Sequence, residues 1–138
     1  MLNVTIDHNG RQYQAQLMKI DSTSLGEGDH LFSAGLNCSR PGGGTTVGLR
    51  GFDEWDQERG ERVFKSGYGL DFIRTMMKIG GVNGWEDLPG QRVYVLYDVA
   101  GGPHMLGRIA DGIANVDTGE VMIFAEHAAL WGLPKDES

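Results

Sequence analysis

A glycine-rich segment holds the residues best suited to binding chemistry. Arg40 is followed by Pro41, three glycines and two threonines, and Arg50 follows as a second cation. Backbone N–H groups of a glycine-rich turn can form an anion-binding nest, which an arginine and hydroxyls can complete as a phosphate site. The predicted ligand-binding residues are Arg40, Gly42, Gly43, Gly44, Thr45, Thr46 and Arg50.

The same segment has a simpler interpretation as a flexible turn between two strands. A phosphate loop of the P-loop type requires a helix directly after the glycines. Residues 45–52 instead resume a strand pattern. The sequence therefore favours the turn and keeps the anion site as the sharper hypothesis.

A mixed-charge run surrounds Trp55. The run contains five carboxylates and three cations between Asp53 and Lys65, and residues 56–60 are typical of a hairpin tip. One interpretation is a solvated hairpin. The other is a protein-contact surface with an aromatic anchor, because tryptophan is enriched among residues that dominate interfaces. The predicted contact residues are Trp55, Asp53, Glu54 and Asp56.

Catalytic and metal sites have little support in the sequence. The four histidines lack partners at metal-ligand spacing, and the chain has no recognised nucleophile or phosphate-loop motif. Glu126 and His127 are adjacent, but surface polarity in a short helix is the favoured interpretation. Cys38 is expected to be an inert small side chain. We therefore predict no catalytic residue, no metal ligand and no cofactor.

Composition indicates one ordinary domain. The chain has 138 residues, one cysteine, 22 glycines and a formal net charge of −7. The acidic balance disfavours broad nucleic-acid binding, which needs a basic face. The first residues show no signal-peptide pattern, and no apolar run is long enough to span a membrane. We expect no membrane association and a cytoplasmic protein, since a lone cysteine fits a reducing compartment.

The segment from Gly67 to Leu96 organises the predicted fold. Residues 70–79 have the apolar spacing of an amphipathic helix, which Gly80 is expected to end. Asn83 and Glu86 have capping-box spacing and predict a short turn. Residues 91–97 are apolar on both faces and predict a central strand. The helical face predicted to enter the core consists of Leu70, Ile73, Met76 and Met77.

The remaining patterns are strands and turns. Asn9-Gly10 predicts a tight hairpin turn, residues 117–119 a three-residue hairpin loop and residues 21–29 a polar loop. Residues 105–116 predict one long bent strand with bulges at Gly107 and Gly112. Residues 125–131 are compatible with a closing helix. The predicted class is α+β, with a twisted, mostly antiparallel sheet, one main helix on one face and a short C-terminal helix. We expect a single domain over residues 1–133 and a polar tail over 134–138.

Three blocks of the chain resemble a family of small proteins from tailed phages and prophages. They are residues 52–56, residues 69–74, and residues 81–93 with the sequence GVNGWEDLPGQRV. Residues 107–113 resemble a further strand of that family, and residues 29–32 and 42–51 resemble its glycine-rich strand pair. This chain departs from the pattern at residues 45–47, where many members carry Gln-Gly-Phe, and near residues 119–124, which lack the usual Lys-Trp-Phe. The family has no assigned activity, so the resemblance implies an origin, a phage accessory gene acting in a bacterial cytoplasm, and no catalytic residue.

The function expected from these observations is a non-enzymatic binding protein that counteracts host defence. It would sequester a small anionic, nucleotide-like ligand in a pocket between the subunits of a homodimer, because an open sheet must protect its edges. One alternative is an acidic protein inhibitor of a host nucleic-acid-binding effector, of CRISPR or nuclease type. Another is an unrecognised enzyme.

Overall fold

A computed structural model describes residues 4–28, 31–101 and 109–133 and confirms the α+β class. Most strands form one antiparallel sheet, accompanied by a main helix and a short C-terminal helix. The strands are β1 (Val4–His8), β2 (Arg11–Gly28), β3 (Leu31–Arg40), β4 (Gly43–Gly51), β5 (Glu54–Asp56), β6 (Glu61–Val63), β7 (Arg92–Asp98), β8 (Gly112–Asn115) and β9 (Val121–Ile123). The helices are α1 (Tyr68–Gly80) and α2 (Phe124–Leu130), with short 3-10 turns at Trp85–Asp87 and Val99–Gly101.

Strand β2 is the longest strand of the sheet and pairs with three others. The main path of the sheet runs β4-β3-β2-β7-β8-β9, and β1 pairs with the first part of β2. β2 meets β7 over Tyr13–Lys19 and β3 over Lys19–Gly28. The predicted central strand, β7, lies between β2 and β8 as expected. β5 and β6 form a separate two-stranded hairpin.

Two turns match the sequence-based predictions. Asn9 and Gly10 join β1 to β2 with φ values of 49° and 77°, the left-handed pair that a type I′ hairpin turn requires. At the β8–β9 hairpin, the Asn115 side chain accepts the backbone N–H groups of Asp117 and Thr118. The hairpin over residues 56–60 is also confirmed, as the connection between β5 and β6.

The prediction of a polar loop over residues 21–29 is wrong. β2 continues to Gly28 and pairs with β3 as far as Leu31. Both faces of this part of β2 are largely open to solvent. Its sequence therefore lacks the alternating apolar pattern by which a half-buried strand is recognised. Residue 29 lies outside the described residues.

The connection after Arg40 is shorter than predicted. β3 runs to Arg40, β4 begins at Gly43, and only Pro41 and Gly42 form the turn. Gly42 has a φ of 85°, which favours glycine. Gly43 and Gly44 are therefore strand residues, because they pair with Arg40 and Ser39.

Helix α1 forms where predicted, and its predicted core face is correct in part: Met76 is buried, and Ile73 and Met77 are half-buried against the core. Leu70 is 77% exposed, whereas Phe72, Met76 and Ile79 are fully buried. Both sets follow helical spacing. Phe72 is buried because it joins an aromatic cluster with Tyr68 and Phe52, at ring-centroid distances of 5.9 and 5.3 Å.

The helix stop and the following turn differ in detail from the prediction. Gly80 is the last helical residue, and Gly81 takes the left-handed cap with a φ of 74°. Gly84, rather than Asn83, precedes the 3-10 turn at Trp85–Asp87, and no side-chain capping bond is present there. The predicted capping box is therefore wrong.

The strand predicted over residues 105–116 is shorter in the structure. β8 begins at Gly112, residues 109–111 precede it without strand structure, and residues 105–108 of the predicted strand lie outside the described residues. Gly107 and the tail at 134–138 also lie outside them. The closing helix is confirmed over Phe124–Leu130. The division into one domain and a tail stays a prediction.

Two apolar clusters lie on the two faces of the sheet. The larger joins α1 and α2 to β2, β3, β7 and β8 through residues such as Ile20, Leu36, Phe72, Val95 and Ile113. The smaller joins Tyr13, Ala15 and Leu96 under β1. None of the helices in the described part of the chain combines the length and apolar composition needed to cross a lipid bilayer.

Candidate functional site

Arg40 ends strand β3 with its guanidinium held in place by neutral groups. Its Nε donates to Oε1 of Gln16 at 3.1 Å, and one terminal nitrogen donates to the carbonyl of Pro41 at 3.3 Å. Gln16 is buried, so its amide is a fixed support. Since neither partner carries a charge, the positive charge of Arg40 is not neutralised by these contacts.

Lys19 and Arg92 line the same groove as Arg40. They are exposed, and they occupy directly paired positions on β2 and β7, while Lys19 also pairs with Ser39 at the end of β3. The three cations line a shallow groove of about 400 Å³, with Leu17, Met18, Ser39 and Pro41 as its remaining walls. We call this the cationic groove.

The cations of this groove differ from most others in the chain. Arg11, Arg59, Arg62, Arg74 and Lys78 each have a carboxylate oxygen within 4 Å. Lys19, Arg40 and Arg92 have no such carboxylate among the described residues. Lys19 and Arg92 are like charges at directly paired positions, which repel each other, so an anion bound beside them would relieve that repulsion. In a chain of net charge −7, this is a local cationic site.

The predicted backbone nest does not form over the three glycines. Gly43, Gly44, Thr45 and Thr46 pair in order with β3. Thr46 donates to Oδ1 of Asn37 at 2.7 Å, and Asn37 donates to Ser22, so its hydroxyl belongs to a chain of surface hydrogen bonds. A Cβ at Gly43 would make an ordinary contact with the Arg40 guanidinium at 3.6 Å, whereas a Cβ at Gly44 would lie only 2.9 Å from the backbone carbonyl of Cys38.

Arg50 lies far from the rest of the predicted ligand-binding set. It pairs with Ala34, six positions along β3 from Arg40, which corresponds to about 20 Å at about 3.3 Å per residue. There it lines a smaller cavity of about 70 Å³ with Asp53, Arg62 and Tyr68. Within one chain, therefore, Arg40 and Arg50 do not meet at a common site.

The predicted protein-contact residues have different surroundings. Trp55 is 52% exposed and Glu54 is exposed, whereas the Asp56 carboxylate caps its own turn by accepting the N–H groups of Glu58 and Arg59. Asp53 is turned inward, and Arg62 lies 3.0 Å from its carboxylate.

Asp53 has a structural role. Its carboxylate accepts the backbone N–H of Phe32, which ties the β5–β6 hairpin to β3. Burial raises its pKa, but the hydrogen bonds from Arg62 and Phe32 outweigh that effect and lower the pKa below its ordinary value. A partner could contact Asp53 only by breaking this pair.

The adjacent residues Glu126 and His127 belong to two separate pairs. His127 is buried, with Nε2 lying 2.8 Å from Oδ2 of Asp71. Trp131 donates to the same oxygen at 3.1 Å, so α2 and its C-terminal turn are fastened to α1. Glu126 instead lies 2.9 Å from His8 on β1. The expectation of surface polarity for His127 is therefore wrong, because these contacts are tertiary and sequence adjacency cannot show them.

Cys38 is a buried thiol, and the acidic residues bear on whether the described structure could hold a metal ion. Burial raises the pKa of the Cys38 thiol to about 12, so the thiolate is scarce at neutral pH. Among residues 4–28, 31–101 and 109–133, no group of three or more histidine, cysteine, aspartate or glutamate side chains is arranged to hold a metal ion. His30 and His104 lie outside these ranges.

Sequence reasoning identified Arg40 but missed Lys19 and Arg92. Both are cations on exposed strand positions, where a solvated residue is the default interpretation. Their proximity depends on the pairing of β2 with β7, which no local pattern specifies.

Comparison with known proteins does not assign this site. No protein-family model, curated protein or solved structure matches the chain. The resemblance to small phage proteins stays a prediction.

Proposed function

We propose that this protein is a non-enzymatic binding protein that captures a small anionic ligand in the cationic groove. The supporting observation is the gathering of Lys19, Arg40 and Arg92, three cations without a carboxylate partner among the described residues, in an acidic chain. The chemical group recognised is a phosphate. An arginine fork binds phosphate oxygens bidentately, and a lysine adds a point charge.

The groove also provides contacts for the uncharged part of a ligand. Leu17 is 44% exposed at its wall, and Tyr94 pairs with Leu17 on the neighbouring strand β7. An apolar contact beside three cations suits a nucleotide-like molecule, which combines phosphate with a base. With the resemblance to phage proteins, this supports sequestration of a nucleotide-like signal of host defence as the biological role.

Thermal unfolding with a panel of anions tests the proposal. The panel contains inorganic phosphate, inorganic pyrophosphate, linear nucleotides and cyclic mono- and dinucleotides. A phosphate compound present at about 100 times its Kd stabilises the folded state by about 2.7 kcal/mol, which raises the Tm of a domain of this size by several degrees. Absence of a shift with every phosphate compound would contradict the proposal.

A pair of double variants locates the binding site. Lys19→Ala with Arg92→Ala should weaken phosphate binding at least tenfold, because charge-assisted contacts are worth about 1.5–3 kcal/mol each. The control, Arg59→Ala with Lys78→Ala, removes the same charge from exposed ion pairs elsewhere and should leave the Kd within about twofold. Titration calorimetry measures both. Equal losses in the two variants would place the binding site outside the groove.

A second candidate function is inhibition of a host nucleic-acid-binding protein. The observation that favours it is the exposed Trp55 on the β5–β6 hairpin, beside the exposed carboxylates of Glu54 and Glu58. An aromatic anchor with acidic neighbours suits a basic surface. Trp55→Ala should then reduce capture of a host nuclease from lysate at least tenfold while anion binding stays unchanged. Undiminished capture would remove Trp55 from that role.

A further inference from the structure

Three directly paired residues form a polar line across the sheet at the cationic groove. Ser39 on β3 pairs with Lys19 on β2, and Lys19 pairs with Arg92 on β7. Directly paired side chains lie on the same face of a sheet, so one hydroxyl and two cations stand side by side. We call these three residues the polar row. The Ser39 hydroxyl makes no hydrogen bond within the described part of the chain, so it can donate to an anion that the two cations hold.

The next pair along the same two strands is apolar. Leu17 and Tyr94 are directly paired, two residues from Lys19 and Arg92, and therefore lie on the same face as the polar row. We call this pair the apolar row. Leu17 is 44% exposed, whereas Tyr94 is half-buried and packs against the smaller apolar cluster. The cluster therefore supports the Tyr94 ring, and the remaining surface of the ring is open to a ligand.

The separation of the two rows matches one class of ligand. Two residues along a strand span about 6.6 Å. A phosphate bonded directly to the sugar of a nucleoside lies at a comparable distance from the base. The terminal phosphate of a nucleoside triphosphate lies much farther from its base, and an inorganic phosphate has no group that could cover the apolar row.

We infer that the cationic groove selects a nucleoside monophosphate, whose phosphate lies on the polar row and whose base lies on the apolar row. This inference rests on the proposed anion binding and names the ligand class of the same site. Arg92 and Lys19 provide charge-assisted contacts to the phosphate oxygens. The base stacks on the Tyr94 ring and contacts Leu17. Because every base has a π-face, the site should discriminate little among the four bases.

Two ligands that differ only in the base test the role of the apolar row. Adenosine monophosphate and ribose phosphate share the phosphate and the sugar, and only the first carries a base. We expect the wild type to bind adenosine monophosphate at least about fivefold more tightly, the lower end of what stacking on one aromatic side chain contributes. Titration calorimetry measures both Kd values. Equal affinities would overturn the inference.

Variants of the apolar row locate the base. Tyr94→Leu removes the ring and keeps an apolar side chain against the cluster. It should weaken binding of adenosine monophosphate at least about fivefold more than binding of ribose phosphate. Leu17→Ser changes an exposed side chain and should shift the ratio of the two affinities in the same direction, even if Tyr94→Leu fails to fold. Leu25→Ser, on the same strand with Leu25 49% exposed, is the control and should leave the ratio unchanged.

The outcomes separate this inference from the proposed function. An affinity ratio that Leu17→Ser leaves at the wild-type value would overturn the placement of the base. Pyrophosphate or ribose phosphate bound as tightly as adenosine monophosphate would also overturn the inference, while anion capture in the groove would stand. Failure of the wild type to bind any phosphate compound would contradict the inference and the proposed function together.

Discussion

Arg40 keeps its positive charge available because an amide, rather than a carboxylate, holds its guanidinium. Gln16 is buried and accepts from Nε at 3.1 Å, which orients the side chain without neutralising it. An acidic residue at the same position would form an ion pair with Arg40 and compete with an incoming anion.

Gln16→Glu tests this arrangement. We expect phosphate binding to weaken about tenfold, since the new carboxylate neutralises one cation of the groove. Gln16→Met, of similar length and without charge, is the control and should lose less affinity. Calorimetric titration with pyrophosphate measures both variants. Equal affinity of Gln16→Glu and wild type would show that Arg40 does not contact the anion.

The Asp71 carboxylate makes the stability of the protein depend on pH. Burial raises its pKa, but the hydrogen bonds from Trp131, His127 and Arg74 outweigh burial, so the pKa lies below its ordinary value of 3.8. A carboxylate with a depressed pKa stabilises the folded state above the ordinary value, and this contribution is lost as the pH falls through the folded-state pKa.

Asp71→Asn should therefore lower the Tm at neutral pH and reduce the further fall of the Tm between about pH 5 and pH 2. The acid-side fall will not vanish, because Asp53 also has a lowered pKa. Calorimetry across this pH range makes the measurement, with Asp117→Asn on an exposed turn as the control. A variant whose Tm falls as steeply as that of the wild type would contradict the account.

At the scale of elements, features that depend on local sequence were predicted better than features that depend on contacts between distant residues. The Asn9-Gly10 turn, helix α1 and strand β7 were predictable because backbone preference and apolar periodicity act within a few residues. The buried face of α1 was predicted only in part, because Leu70 is exposed and Phe72 is buried instead, against the aromatic partners Phe52 and Tyr68. The far half of β2 was missed because an exposed strand has no apolar alternation.

Gly112 lies where strands β8 and β9 approach each other closely. A Cβ at this position would collide with the backbone carbonyl of Met122 on β9. Gly112→Ala should destabilise the protein by about 1–3 kcal/mol, the range for overpacked cores. Gly28→Ala, where the added methyl meets no atom within 4 Å, is the control and should change stability little. Urea unfolding compares the two, and equal stabilities would contradict the predicted collision.

On the scale of the whole molecule, the candidate site depends on strand order. Arg40 was predictable from its glycine-rich neighbourhood, but Lys19 and Arg92 become its neighbours only because β2 pairs with both β3 and β7. Pairing between distant strands is decided by the complete sheet, so composition and motifs could not reveal the groove. The same sheet separates Arg50 from Arg40, which a motif-based prediction had joined.

The three-way pairing of β2 also has a consequence for synthesis on the ribosome. β1, β2, β3 and β4 are complete within the first part of the chain, but β2 meets β7 only after about 75 more residues have been translated past Leu17. Until then Met18 and Ile20 lack the residues of β7, such as Val93 and Val95, that share their apolar cluster. We therefore expect the nascent chain to be more prone to aggregation before β7 is translated than after it.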